Sequence, residues 1–134
     1  MSKHRYEEIT RDIKIAVEPD FLDDQSEPEE SRYLWSYRVT IENKSEIAVQ
    51  LLSRYWRITD SRGRIREVRG DGVIGEQPVI GPGRAFEYTS GAPLETASGF
   101  MTGTYHMRSS TGESFEVGIP MFALESPYEP HGRH

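Results

Sequence analysis

Polar and apolar residues alternate along most of this chain, and a period of two is typical of β-strands with one buried face. The clearest case is segment 32–43 (RYLWSYRVTIEN), where every second residue from Tyr33 to Ile41 is aromatic or β-branched. Six further strands are predicted from the same alternation: 9–18, 47–59, 64–69, 84–89, 100–108 and 114–119, the last continuing through Phe122 and Leu124. No segment has a convincing helical period, so the pattern predicts an all-β protein.

Short turn signals separate these strands. Segment 60–63 (DSRG) is predicted to be a tight turn, because Asp can bond the backbone two residues on and Gly accepts a positive φ. Segment 47–69 is therefore predicted to be a hairpin, with Leu52, Trp56 and Ile58 on the buried face of its first strand. About seven strands with such turns are typical of an antiparallel β-sandwich of the immunoglobulin or fibronectin type III kind. An up-and-down barrel is the alternative fold.

Length and composition narrow the class of protein. A chain of 134 residues is predicted to form a single domain, 1–134, which can bury a core without covalent links. It has no cysteine, which excludes disulfides, thiolate metal ligands and cysteine nucleophiles. No apolar run approaches the roughly 20 residues that span a bilayer, and the N-terminus is too polar for a secretory signal. We therefore expect a cytoplasmic protein without a transmembrane segment.

Charge is unevenly distributed along the chain. A net charge of −6 argues against nucleic-acid binding, which depends on clustered cations. Segment 18–30 holds seven carboxylates and no cation, and with Pro19 and Pro28 it is predicted to be an exposed loop. A site for a hard cation is the alternative for this loop, although its spacing does not match an EF-hand, and no metal site is predicted. Segment 54–69, in contrast, holds six arginines against two carboxylates.

The glycine-rich segment 70–83 follows these arginines and begins with G-x-G-x-x-G at Gly70, Gly72 and Gly75. A dinucleotide fingerprint needs a helix after its third glycine, because the helix N-terminus holds the pyrophosphate. The prolines at 78 and 82 exclude such a helix, and no Lys-Ser or Lys-Thr of a P-loop follows. The glycines are therefore predicted to supply positive φ in successive turns.

An anion site is the alternative for the same segment. Successive turn amides can form an anion-binding concavity without a helix. Arginines lie close to it in sequence, and the candidate phosphate-binding residues are Gly70, Gly72, Gly75, Arg66 and Arg69.

Other candidate chemistry is sparse. The four histidines are scattered, at 4, 106, 131 and 134, and none has metal-ligand spacing. Neither G-x-S-x-G nor H-E-x-x-H occurs. No catalytic residue and no cofactor is predicted, and the C-terminal tail 125–134 is predicted to be mobile.

Several long motifs are more specific than the glycine pattern. They are G-D-G-V-I-G-E-Q-P-V-I-G-P-G (70–83), F-x-Y-T-S-G-x-P-L (86–94), G-F-M-x-G-x-Y-x-M (99–107) and F-x-V-x-I-P-x-F-x-L (115–124). Upstream, Q-S-x-P-E (25–29), R-Y-x-W-x-Y-x-V-x-I-E-N (32–43) and R-x-W-x-I-T-D-x-x-G (54–63) belong to the same pattern. Over nearly its whole length the chain resembles the bacterial ApaG family. One departure is Ala97-Ser98, where the family pattern suggests Thr-Pro.

The resemblance carries expectations about fold and function. It implies a fibronectin type III-like sandwich and a genetic association with Co²⁺ and Mg²⁺ tolerance or efflux. Similar domains in eukaryotic F-box and DNA-polymerase-interacting proteins imply a protein-binding module, and the glycine motif, Gly70, Gly72 and Gly75, is a suggested pyrophosphate site. We therefore predict a non-enzymatic protein-interaction domain, a monomer or weak homodimer, whose protein partner the sequence does not identify. The alternative is weak binding of pyrophosphate or a dinucleoside polyphosphate.

Overall fold

The structure is a computed structural model, and it describes residues 4–128. Within that range the chain forms nine strands and two short 3₁₀ turns, the turns at Asp23–Gln25 and Pro28–Glu30. The strands are β1 (Tyr6–Thr10), β2 (Ile13–Phe21), β3 (Tyr33–Asn43), β4 (Val49–Asp60), β5 (Ile65–Asp71), β6 (Val79–Ile80), β7 (Ala85–Leu94), β8 (Gly99–Ser109) and β9 (Ser114–Leu124).

Two antiparallel sheets pack face to face. The first sheet has the order β1-β2-β3-β7, and the second has the order β5-β4-β8-β9, with β6 also paired to β4. On one side of the sandwich β1 contacts β9, where the Gly118 N–H donates to Thr10 Oγ1 at 3.2 Å. On the opposite side β7 and β5 are both edge strands, and we call this the open side.

The predicted antiparallel β-sandwich is confirmed, with more strands than the expected seven. The predicted strand 9–18 is two strands, β1 and β2, joined by Arg11 and Asp12 with φ values of 50° and 66°. The two-residue strand β6 was also not predicted. The closer assignment to the fibronectin type III kind stays a prediction.

Alternation places the core as expected on β3, where Trp35, Tyr37, Val39 and Ile41 are all buried. On β4 the prediction that Leu52 faces the core is wrong, because Leu51 is the fully buried residue. The register between β4 and β8 shifts at this point, and one extra residue on β4 inverts the alternation.

The acidic segment begins inside a strand. Residues 18–21 continue β2, so the predicted loop 18–30 begins only after Phe21. At the start of the tail, the Trp35 indole donates to the Glu125 carbonyl at 2.8 Å and the Ser126 hydroxyl donates to the Ala97 carbonyl at 2.7 Å. The predicted mobility of 125–134 stays a prediction. Residues 129–134, including the histidines at 131 and 134, lie outside the described residues.

A pair of tyrosines carries hydroxyls into the core between the sheets. Tyr88 on β7 and Tyr105 on β8 are buried, and their hydroxyl oxygens lie 2.5 Å apart. Burial raises the pKa of Tyr105 well above its usual value, and burial raises the pKa of Tyr88 in the same direction. Both phenols are therefore held neutral in the folded protein.

This pair predicts a loss of stability at alkaline pH. Unfolded tyrosines release protons near pH 10, whereas the folded pair keeps its protons, so the free energy of unfolding falls as pH rises above about 10. A Tyr88→Phe/Tyr105→Phe variant should show a shallower fall, measured by urea denaturation from about pH 8 to pH 11. Phe86→Leu changes a ring that contacts Tyr88 and removes no hydroxyl, so it should keep the wild-type slope. An unchanged slope in the double variant would contradict the assignment.

Candidate functional site

The glycine-rich segment is an extension of the β4–β5 hairpin. Strand β5 continues through Asp71, so Gly70 lies in the strand, opposite Arg54. Gly72 follows with a φ of 63°, and its N–H donates to the Leu52 carbonyl at 2.8 Å. The predicted positive φ is therefore found at Gly72 but not at Gly70.

A tight hairpin turn comes next, at residues 73–76. Val73 and Glu76 exchange two backbone hydrogen bonds, of 2.8 and 2.9 Å. The two central residues, Ile74 and Gly75, have φ values of 41° and 80°. Two positive φ values in a two-residue connection are the signature of a type I′ turn, which matches the twist of paired strands.

Close packing explains the first two glycines of the motif. The guanidinium of Arg54 lies over Gly70, where a Cβ atom would come within 2.9 Å of its nitrogens. A Cβ atom on Gly72 would lie 2.2 Å from the Glu76 carbonyl oxygen. The same guanidinium donates to the carbonyls of Asp71, at 3.0 Å, and Gly72, at 2.8 Å. Arg54 therefore ties the segment to β4.

Three amides of the glycine-rich segment already have acceptors. The N–H groups of Gly72, Val73 and Glu76 all donate to backbone carbonyls. An anion that used these three amides would have to displace those hydrogen bonds. The pyrophosphate site at Gly70, Gly72 and Gly75 stays a prediction.

The two candidate arginines lie on opposite faces of β5, because side chains alternate along a strand and 66 and 69 differ by an odd number. The Arg69 guanidinium lies 4.4 Å from the centre of the Tyr55 ring, on the outer face of the second sheet. Arg66 instead lines a cavity at the open side. The structure thus brings the glycines together with Arg54, which was not a candidate, and separates Arg66 from Arg69.

A sequence signal for Arg54 did exist. It lies two residues before Trp56 and four before Ile58, so it shares the predicted inward face of its strand. A cation on an inward face needs nearby acceptors, and backbone carbonyls of the following loop supply them here.

The cavity has a volume of about 510 Å³ and lies between the start of β5 and the ends of β4 and β7. Ile58 and Leu94 contribute apolar walls, and Arg66 lies beside them. The other two arginines that line it are paired, Arg64 with Asp60 at 2.7 Å and Arg32 with Glu27 at 2.8 Å. Arg66 has no ion pair with any residue between 4 and 128.

The carboxylates of residues 4–128 do not form a metal centre. Within the described part of the chain, no group of three or more His, Asp or Glu side chains is placed to hold a metal ion. In the acidic segment, Glu18 binds Arg38, and this hydrogen bond lowers the pKa of the Glu18 carboxyl.

No helix in residues 4–128 is long and apolar enough to cross a membrane.

The fold and this site define a small two-sheet β-sandwich with a glycine-shaped hairpin extension. A family model described as the ApaG domain matches residues 23–109. Protein ApaG of Rhodospirillum centenum is 57% identical over 128 residues, which cover 96% of each chain. Protein ApaG of Sinorhizobium fredii is 56% identical over 91% of this chain and 94% of its own.

Solved structures agree with the sequence comparison. The crystal structure of the putative ApaA protein from Bordetella pertussis has a TM-score of 0.85 and 45% identity, covering 88% of this chain and 96% of its own. The chain belongs to the ApaG family, and the resemblance stated from the sequence motifs is confirmed.

The geometry predicts different outcomes for two glycines of the motif. Gly72→Ala should lower the free energy of unfolding by about 2 kcal/mol or more, because its Cβ would collide with the Glu76 carbonyl. Gly75→Asn should cost less than about 1 kcal/mol, since its Cβ meets open space and Asn accepts a positive φ. Urea denaturation measures both. Equal losses would contradict a steric role for Gly72.

Arg54 is predicted to stabilise the glycine-rich segment. Arg54→Ala should reduce the free energy of unfolding by about 2 kcal/mol, because the carbonyls of Asp71 and Gly72 lose a charged donor. Arg57→Ala is the matched control, since the Arg57 side chain is exposed and forms no hydrogen bond within the described residues. Thermal and urea denaturation should show the loss for Arg54 alone, and similar losses for both variants would contradict the assignment.

Proposed function

We propose that this chain is a non-catalytic interaction domain that binds an acidic region of another protein through the β4–β5 hairpin. The observation that carries the proposal is a set of unpaired cations. Four exposed arginines of this hairpin form no ion pair within residues 4–128: Arg57, Arg62, Arg66 and Arg69. Concentrated positive charge on a chain of net charge −6 orients and attracts an acidic partner.

The outer face of the hairpin has the composition of a protein interface. Tyr and Arg are enriched at such interfaces, and here the Arg69 guanidinium lies over the Tyr55 ring. The Tyr55 hydroxyl also donates to Glu67 Oε2 at 2.5 Å, so these side chains are already held in place before binding. Such preorganisation reduces the entropy lost on association.

Apolar surface adjoins these polar groups. Ile65 on β5 and Phe100 on β8 are 50% and 38% exposed, and both lie opposite Thr59 on β4. They form a short apolar row across the sheet, next to Arg57. A partner that covers this row would remove apolar area from water while its carboxylates meet the arginines.

An interaction domain would influence metal tolerance only indirectly. The effect on Co²⁺ and Mg²⁺ tolerance that the family resemblance implies would then come from the partner protein in the cytoplasm. Weak binding of pyrophosphate by the glycine-rich segment is the alternative, and it has to compete with the hydrogen bonds already made there.

The test is differential capture followed by a measured affinity. Affinity capture from native cytosol with mass spectrometry is compared for wild type and Arg57→Ala/Arg69→Ala, and the protein lost in the variant is purified. Its dissociation constant should rise at least about tenfold in the variant and rise with salt for the wild type. The control is Arg84→Ala/Arg108→Ala, two exposed arginines elsewhere that also remove two charges.

Three results would count against the proposal. They are capture that is equal for wild type and variant, capture that the control reduces equally, and an affinity that does not respond to salt. Unchanged thermal midpoints for both variants show that a loss of capture is not a loss of folding.

A further inference from the structure

The free edge of β5 presents regularly spaced backbone groups. The Asp60 N–H donates to the Arg64 carbonyl at 3.0 Å, and the Gly72 N–H donates to the Leu52 carbonyl at 2.8 Å. These bonds mark the hydrogen-bonded pairs at the two ends of the β4–β5 ladder, and such pairs alternate along an antiparallel ladder. Four residues between them therefore direct their N–H and C=O groups away from β4: Ile65, Glu67, Arg69 and Asp71. The Asp71 carbonyl already accepts from Arg54, which leaves Ile65, Glu67 and Arg69 as the three residues with both groups available.

No strand of residues 4–128 pairs with this edge. The three residues span about 13 Å, at roughly 3.3 Å for each residue along the strand. That length accepts a short strand from another chain, in the manner of peptides that extend a sheet. The edge is therefore a place where main-chain hydrogen bonds are available to a partner.

The cavity lies at the start of the same edge. Arg66 projects from β5 beside Ile58 and Leu94. A strand added to β5 would direct alternate side chains to this inward face. The cavity of about 510 Å³ has room for an apolar side chain, and the unpaired Arg66 guanidinium suits a neighbouring carboxylate.

Charge selects the kind of strand. Arg66 and Arg69 form no ion pair within residues 4–128, so the side chains of an acidic strand would meet both of them with complementary charge. A second copy of β5 is disfavoured in the registers that place Arg66 opposite Arg66 or Arg69 opposite Arg69, because like charges across a ladder are destabilising, but a register that places Glu67 opposite Arg69 is not. The edge thus favours an anionic segment, and pairing with a second copy of the chain would overturn the proposal.

We propose that the partner supplies an extended acidic segment, which adds as a strand to the free edge of β5 and places an apolar side chain in the cavity beside Arg66. This proposal rests on the proposed interaction function and specifies the form of the partner. It commits to a protein segment, and electrostatic contact without strand addition is an outcome that would overturn it.

A single proline substitution in β5 tests the strand addition. In Glu67→Pro the lost N–H is an edge donor and not part of the β4 ladder, so the fold is retained while strand addition is blocked. Glu67→Ala is the matched control, because it removes the same side chain and keeps the N–H. Amide spectra and thermal midpoints of both variants confirm folding.

The probe is a phage-displayed library of random peptides of about twelve residues, selected on the wild-type chain. We expect enriched peptides in which acidic and apolar residues alternate. As synthetic peptides they should bind Glu67→Pro at least about tenfold more weakly than Glu67→Ala. Their binding should shift the amide resonances of residues 65, 67 and 69.

A charge-matched pair tests the cavity. Arg66→Glu and Arg62→Glu change the net charge equally, but Arg62 lies in the turn and away from the cavity. The enriched peptides should lose at least about tenfold more affinity for Arg66→Glu than for Arg62→Glu. Equal losses would show unspecific electrostatic contact and overturn the proposal, as would equal binding to the two Glu67 variants or a selection without enrichment.

The two proposals fail separately. If the binding of a captured partner requires Arg57 and Arg69 but is equally tight for Glu67→Pro and Glu67→Ala, the interaction function stands and strand addition is wrong. If the binding of no captured protein requires those arginines, the interaction function itself is wrong.

Discussion

Aromatic packing between the two sheets is the contact on which the rest of the structure depends. Trp56 of the second sheet lies 5.3 Å from the Tyr37 ring of the first sheet, edge to face, and Phe122, also of the second sheet, lies 5.8 Å from the same Tyr37 ring. Such pairs contribute about 0.5–1.5 kcal/mol each beyond their buried area. Because Trp56 must face inward, the orientation of every other side chain on that part of β4 is determined.

One consequence is the inward position of Arg54, two residues before Trp56. Its charge needs acceptors at the margin of the core, and the carbonyls of Asp71 and Gly72 provide them. The guanidinium then occupies the space above Gly70, and the chain must turn sharply at Gly72. The three glycines of the motif therefore have local explanations: the Arg54 guanidinium over Gly70, the Glu76 carbonyl beside Gly72, and the positive φ of the tight turn at Gly75.

Sequence periodicity predicted the elements whose alternation is unbroken and failed where one residue alters it. The faces of β3 and β8 follow from their alternation. The bulge at Leu52 was missed because Leu51 and Leu52 are both apolar, so either could be placed inward. Strand β1 (YEEIT) has too few apolar residues for a period and forms by pairing with β2. The alternation of side chains along a strand already predicts that Arg66 and Arg69 lie on opposite faces. Their nearness in sequence nevertheless suggested that both belong to one site.

The charge on β5 has a physical meaning that differs from the usual protection of an edge. Lysines on an edge strand discourage pairing through hydration and repulsion. Arginines without carboxylate partners repel only a cationic strand. Their guanidinium groups are weakly hydrated and bind carboxylates through paired hydrogen bonds. In the proposed complex, the same arginines that repel a cationic strand would attract an anionic one. Protection of the edge and recognition of a partner would then both depend on the charge of the approaching strand.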